Sequence, residues 1–442
     1  MLHLRHSHHE TIMTYRFHRI VLFFLCLLIT APQQARTQGA FRYDVKNGVD
    51  VLVLQNFALF EGKKIVLVTN QSGRTRSLQS TLDAFLQAKN CTVGSILTPE
   101  HGYYGLARAG ELVKDSLETI RGIKAVSLFG KDRRRPTQAM LEGFDAVVFD
   151  IQDVGLRSYT YLSTLYWVMD ACAEYGKTLY VLDRPNPLGG KIVDGAVLDT
   201  AFTSFVGIVP VPYIHGCTLG EMAMMINGEG WLQRDVSTGK PRKCPLTIIR
   251  AEGWQRWMTW EDTDFTWIPT SPHIPTVESI RGMAITGIYG ELSLMNIGIG
   301  HVLPFQMLGT PTLNVPLLVE GVKKQNLTGI TMIPTRYRPF YGKFANTDCN
   351  GILFAFAPDA IRFKPFAASI DILLALKALQ PELFQAKNIS DAQKAMFAKV
   401  CGTDKIFEAL FLKKVPDDEV RRMAQRGVKE FTEMRKKYLL YD

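Results

Sequence analysis

Ala146-Val147-Val148-Phe149-Asp150-Ile151-Gln152-Asp153-Val154-Gly155 begins as an unbroken apolar run and ends as a polar cluster closed by glycine. A strand with one wet face alternates apolar and polar residues, whereas a run without alternation is covered on both faces, as in a parallel sheet between helical layers. The same design recurs outward. Upstream, the apolar runs Lys64 to Thr69 and Val93 to Leu97 follow the helix-like stretches Gly48 to Phe57 and Leu78 to Lys89. Ala125 to Phe129 is strand-like and Thr137 to Glu142 helix-like; downstream, Tyr161 to Glu174 reads as a helix and Thr178 to Leu182 as a strand. Such alternation predicts an α/β fold built on a parallel sheet.

Polar clusters follow these strands directly: Thr69-Asn70-Gln71-Ser72, Pro99-Glu100-His101-Gly102, Asp150 to Gly155, and Asp183-Arg184-Pro185-Asn186-Pro187. Open parallel sheets bind ligands outside the carboxyl ends of their strands, so these clusters are expected to meet at one rim.

The chain has 442 residues, 47% hydrophobic and 21% charged, which is ordinary for a globular protein and enough for two cores. Residues 1–38 read as an export leader: Arg16 and Arg19 precede the apolar run Ile20 to Ile29, and Ala31 and Ala35 follow. That run is too short to span a bilayer, and the rest of the chain is expected to carry no integral membrane span. Removing the leader takes away four Arg and one Glu, so the formal charge falls from +9 to +6, still suited to an anionic partner. Nucleic acid is not the expected one, because no basic helix is present and the only Arg run is Lys131 to Arg135. The six remaining cysteines are scattered without C-x-x-C spacing, which argues for buried free thiols and against a structural zinc site. Residues 41–262 form the expected first domain, with a Gly-, Pro- and Trp-rich excursion over 190–262 that holds one good helix, Leu219 to Asn227. Residues 263–442 form a second, smaller α/β unit, ending in charged helices at Ile389 to Val400 and Asp417 to Lys437.

Outside the leader only His101, His215, His273 and His301 remain, all in Gly- or Pro-bearing loops. Glu100 precedes His101 at a strand end, a setting in which partial desolvation raises a carboxyl pKa and lets the acid protonate a leaving oxygen. The rival reading is a loop ion pair or cap. Asp150, Asp153 and Arg157 crowd the next strand end beside Tyr159 and Tyr161. A carboxylate beside an Arg stays ionised and suits a base or a cation stabiliser. Of the two, Asp150 ends the strand and is read as a structural organiser, leaving Asp153 for chemistry. Arg184 and Asn186, stiffened by Pro185 and Pro187, could hold a carboxylate or sugar hydroxyls, or pair with a neighbouring Asp. Thr218 and Glu221 have capping-box spacing, so Glu221 is read as a cap. No G-x-S-x-G elbow, phosphate-binding glycine loop or H-E-x-x-H string is present, which removes most of the weight from serine-hydrolase, nucleotide and zinc-protease readings.

Taken together, Leu67-Val68-Thr69-Asn70-Gln71-Ser72-Gly73, Thr98-Pro99-Glu100-His101-Gly102, Phe149 to Gly155, Arg157 with Tyr159-Thr160-Tyr161, Leu182 to Pro187 and His215-Gly216 resemble the exo-β-N-acetylmuramidase (DUF1343, NamZ-like) family over nearly the whole chain past residue 45. The resemblance implies a Rossmann-like amino-terminal domain, a smaller carboxyl-terminal domain and a cleft between them. It also implies release of terminal N-acetylmuramic acid from the non-reducing end of peptidoglycan fragments, with Glu100 as the acid. The expected catalytic set is then Glu100, His101 and Asp153. The expected substrate contacts are Asn70, Arg157, Tyr159, Tyr161, Arg184, Asn186, His215, His273 and Glu291, with no metal and no cofactor. Arg157 or Arg184 would hold the lactyl carboxylate of the muramic sugar, since a guanidinium fork matches it. The sequence departs from the family strings at Ser271-Pro272-His273, Glu291-Leu292-Ser293-Leu294 and Gly298-Ile299-Gly300-His301. A wall-fragment binder without turnover, or one re-specialised for another muramyl ligand, is the alternative function.

Overall fold

Strand β1 (Lys64–Thr69) shows why its sequence does not alternate. Ile65 and Leu67 belong to one core, with Phe57, Phe60 and Phe85; Val66 and Val68 belong to another, with Phe149, Leu162 and Leu165. Successive side chains leave a strand on opposite faces, so a sheet buried on both sides needs apolar residues throughout. This computed structural model describes residues 43–442 apart from 113–118, 131–132, 326 and 358–362. The leader expected over 1–38 lies outside the described residues.

Helix α1 (Gly48–Leu54) precedes β1; α2 (Thr81–Ala88), β2 (Thr92–Thr98), β3 (Thr119–Ile120), β4 (Ile123–Ser127), α3 (Gln138–Leu141), β5 (Ala146–Asp150), α4 (Tyr161–Glu174), β6 (Thr178–Leu182), α5 (Leu219–Gly228) and β7 (Leu246–Ile249) follow. The seven strands lie in the order β3-β4-β2-β1-β5-β6-β7, parallel except for the short β3–β4 pair. The chain therefore winds one way from β1 to β4 and the other way from β5 to β7, which puts the topological switch between β1 and β5. In register, Thr69 pairs with Asp150 and Thr98 with Ser127, so the carboxyl ends are nearly level. Thr218 and Glu221 do form a capping box on α5. The excursion over 190–262 holds more than its one expected helix, because β7 extends the sheet beside β6.

The second unit comprises α6 (Val277–Leu292), β8 (Met307–Thr310), α7 (Val315–Lys323), β9 (Ile330–Tyr337), β10 (Cys349–Phe356), α8 (Pro365–Leu379), α9 (Asp391–Cys401), α10 (Lys405–Phe411), α11 (Asp417–Ala424) and α12 (Val428–Met434). Its three-stranded antiparallel sheet runs β8-β10-β9. The single helix expected over 417–437 is broken at Gly427, whose φ of +78° suits glycine and whose missing Cβ would sit 2.9 Å from Val197. Val147 and Phe149 of the first sheet share a continuous core with Leu308 and Ile352 of the second. The six cysteines of the described chain are free, and all but Cys91 are buried. No helix among the described residues is long and apolar enough to cross a membrane.

Candidate active site

The strand-end clusters do meet at one rim, but at the switch between β1 and β5 they satisfy one another rather than leave a vacant crevice. Asn70 Oδ1 accepts from Ser72 N at 2.9 Å and Ser72 Oγ at 2.6 Å, and its Nδ2 donates to Tyr161 Oη at 2.9 Å. Arg184 grips Asp150 with two bonds, Nε to Oδ1 at 2.5 Å and Nη2 to Oδ2 at 2.9 Å, and also donates to the Arg74 carbonyl. Asn186 donates to the Cys217 carbonyl at 3.0 Å and accepts from Leu188 N at 2.9 Å. Its amide also packs where a Cβ on Gly155 would lie, 2.3 Å away, so residue 155 must be glycine.

Open space lies to one side, toward β2 and β4. A cavity of about 470 Å³, within the usual size for a small-ligand site, is bounded by Glu100, His101, Phe129, Arg134, Ser158, Tyr159, Thr160, Phe205, Tyr213, Ser271, His273 and Glu291, with Met283 and Gly287 of α6 and Met396 of α9. Both units contribute walls. Glu100, the residue after Pro99 at the end of β2, is 5% exposed. Its Oε1 accepts from Gly110 N at 2.6 Å and its Oε2 from Thr160 Oγ1 at 2.7 Å, so among the described residues the carboxyl is held by hydrogen bonds instead of an ion pair. Each oxygen has two lone pairs, so one site per oxygen remains for a proton or a substrate contact. His101 has φ +72°, which is uncommon for a residue with a Cβ, and its Nδ1 donates to the Ala107 carbonyl at 2.7 Å. That bond leaves Nε2 as the second polar atom of the ring.

Tyr159 lines the cavity with its hydroxyl tied to Thr270 Oγ1 at 2.8 Å, and Tyr161 lies edge-on to it at 4.8 Å with its hydroxyl on the Thr270 carbonyl. Burial raises the pKa of both phenols. His273 bridges to Tyr341 Oη at 3.0 Å, and burial, with His101 and Arg108 nearby, lowers its pKa. Glu291, near the end of α6, is the second carboxyl in the cavity, and burial raises its pKa.

Several expected contacts fall elsewhere. Asp153 was expected to be ionised in the site, but it does not line the cavity. The space beside it is about 10 Å³, at the lower limit for one water and far too small for a sugar. Burial lifts its pKa to about 7 against the donors Gly155 N and Val154 N, and its Oδ1 is buried without a partner. Nor does Arg157 hold it in the charged form, because Arg157 is spent on the carbonyls of Ala196 (2.7 Å), Val211 (2.6 Å) and Val400 (2.6 Å). Arg184, Asn186 and Asn70 are consumed as described above. His215 is fully buried, and its pKa falls to about 3 through burial and then Arg435, Arg157 and Arg256, which makes it a neutral structural ring. Tyr161, one ring behind Tyr159, braces the wall and does not line it.

Sequence reasoning missed Arg134, Ser158 and Thr160. Thr160 stood inside a quoted string, and its signal was its place at the start of α4, facing the end of β2. Arg134 follows β4, the one carboxyl end of the central parallel strands whose trailing residues were not counted among the rim clusters.

The state of Asp153 carries a stability prediction. Its folded pKa, about 7, lies above its unfolded value, about 3.9, so folding takes up a proton between those limits. Wild-type stability is therefore reduced as pH rises from 4 to 7, and the full penalty remains above 7. Asp153→Asn keeps an acceptor for Gly155 N and removes the titration. It should gain about 2–4 kcal/mol over wild type at pH 8, relative to the difference between them at pH 4. Urea unfolding at both pH values measures this, and a pH-independent difference would refute the buried-acid reading.

Residues 65–278 match the family model described as exo-β-N-acetylmuramidase NamZ, N-terminal, and residues 282–441 match its C-terminal counterpart. The chain belongs to the NamZ family. It is 31% identical over 422 residues to the peptidoglycan β-N-acetylmuramidase NamZ of Bacillus subtilis (strain 168), covering 96% of this chain and 97% of that protein. Two crystal structures of DUF1343 family proteins from Bacteroides fragilis NCTC 9343 share the fold. One is 34% identical with a TM-score of 0.83, covering 91% of this chain and 100% of that one. The other is 29% identical with a TM-score of 0.70, covering 90% and 99%. The two NamZ models meet around the start of α6, the helix that carries Glu291 into the cavity.

Proposed function

We propose that this chain is an exo-acting β-N-acetylmuramidase that hydrolyses the bond between a terminal N-acetylmuramic acid and the rest of a peptidoglycan fragment at its non-reducing end. The observation that carries this reading is an acid, Glu100, held by hydrogen bonds in the wall of a sugar-sized cavity in a NamZ-family chain. Glu100 gives its proton to the glycosidic oxygen as the bond to the anomeric carbon breaks, and the bonding electron pair stays with that oxygen. Water then adds to the anomeric carbon and its proton passes to a carboxylate of the site, which restores the starting charge once Glu100 is reprotonated. Glu291, rather than Asp153, lines the same cavity as Glu100, which supports a role for it as the second carboxyl. The chain is exported, on the reading of Arg16, Arg19 and the apolar run Ile20 to Ile29 as a leader.

A digest of defined disaccharides with mass detection tests the activity. Muramic acid at the non-reducing end of a muramyl-glucosamine pair should be released as the free sugar, and the reversed pair should stay intact. Binding of the first pair without release would make the chain a wall-fragment binder instead. Amino-terminal sequencing of protein recovered from outside the cytoplasm, beginning near residue 39, tests export.

A further inference from the structure

We infer that Arg134 is the residue that recognises the lactyl carboxylate of the muramic sugar and so sets the preference for muramic acid over glucosamine. The inference rests on the muramidase reading above and asks which group enforces it. N-acetylmuramic acid differs from N-acetylglucosamine by a lactyl ether that ends in a carboxylate. The cavity that would receive this anion already holds Glu291 beside the acid Glu100, and a carboxylate that loses hydration there needs a cation to hold it. Arg157 and Arg184 cannot act, since each is committed to a buried network away from the cavity. The two cavity histidines already use one ring nitrogen each, His101 on the Ala107 carbonyl and His273 on Tyr341.

Arg134 lines the cavity and is held differently. Its guanidinium lies over the ring of Phe129, 3.5 Å from the centroid, and 4.6 Å from that of Phe205. The two rings, 5.6 Å apart and tilted by 54°, meet the guanidinium from adjacent sides and hold it in place, and a fork so held is matched to a coplanar carboxylate. Among the described residues Nη1 is buried without a hydrogen-bond partner, a costly state for a donor and one that a bound carboxylate would relieve. Glu100 is near enough to act on the Arg134 charge, so the fork sits beside the reacting end of the sugar. The competing role, a counter-charge that only tunes Glu100, would affect every substrate alike.

The test compares wild type, R134M and R134K on three chromogenic substrates: an N-acetylmuramide, its lactyl methyl ester and an N-acetylglucosaminide. Methionine keeps an unbranched apolar chain against Phe129 and Phe205, and thermal unfolding of R134M checks that the fold is kept. R134M should lose about 10²-fold in kcat/KM on the muramide, chiefly through KM, with the ester and the glucosaminide unchanged; R134K should fall between. Equal losses on all three substrates, or no loss on the muramide, would overturn the assignment. Calorimetric binding of free N-acetylmuramic acid and N-acetylglucosamine to wild type and R134M separates this failure from that of the function. If wild type cleaves no muramide, the muramidase reading fails, while equal affinity of both proteins for muramic acid defeats the Arg134 assignment by itself.

Discussion

Glu100→Gln should lower hydrolysis of a chromogenic muramide by at least about 10²-fold while leaving the affinity for N-acetylmuramic acid near that of wild type. The substitution is close to isosteric, and the two bonds that hold residue 100 survive it. The amide oxygen can accept from Gly110 N, and the amide nitrogen can donate to Thr160 Oγ1, whose hydroxyl is free to turn from donor to acceptor. What the variant lacks is a transferable proton. A drop in kcat with KM unchanged is therefore expected, and single-turnover rates at saturating substrate are the measurement. Loss of binding together with rate would show that residue 100 positions the sugar. An unchanged rate would move the acid to Glu291, the other carboxyl of the cavity.

The parts of the fold legible in the sequence are those decided by local pattern. Tyr161–Glu174, Lys64–Thr69 and Thr178–Leu182 fall where the apolar runs place them, because a strand covered on both faces cannot hide its composition. Strand β7 was not legible. Its four residues are only partly buried, they sit at the edge of the sheet, and they emerge from a stretch rich in Gly and Pro. Strand β9 is likewise an edge strand and carries Pro334, which a central strand would not tolerate.

The site divides along similar lines. Glu100, His101, Tyr159, His273 and Glu291 reach the cavity, while Asn70, Asp153, Arg157, Tyr161, Arg184, Asn186 and His215 do not line it. Polar residues at a strand end can bind a ligand or satisfy each other, and the sequence reads the same in both cases. Which occurs depends on partners far along the chain, such as Thr270 for Tyr161 or Val400 for Arg157. Arg134 illustrates the converse. Within the only Arg run it had no apparent purpose, and its meaning comes from Phe205, some seventy residues away, which packs beside Phe129 so that both rings lie against its guanidinium.

Arg157→Met should destabilise the protein by about 3–5 kcal/mol without raising KM for the muramide in the molecules that remain folded. The Arg157 side chain is fully buried, and its guanidinium reaches carbonyls at residues 196, 211 and 400, tying the loop after β5 to the end of α9 in the second unit. Methionine fills the space of the stem but leaves three acceptors in a dry environment without donors, at about 1–3 kcal/mol each. Two terms pull the sum down. Burying the cation is itself expensive, as its pKa lowered to about 10 by burial shows, and Nε has no partner even in the wild type. For a domain of about 400 residues the remaining loss corresponds to a fall in Tm of about 4–6 °C. An arginine that held the substrate carboxylate would behave in the opposite way, with Tm preserved and KM raised. Measuring both quantities on Arg157→Met and Arg134→Met therefore sorts the two residues by role: the first variant should move Tm and the second KM.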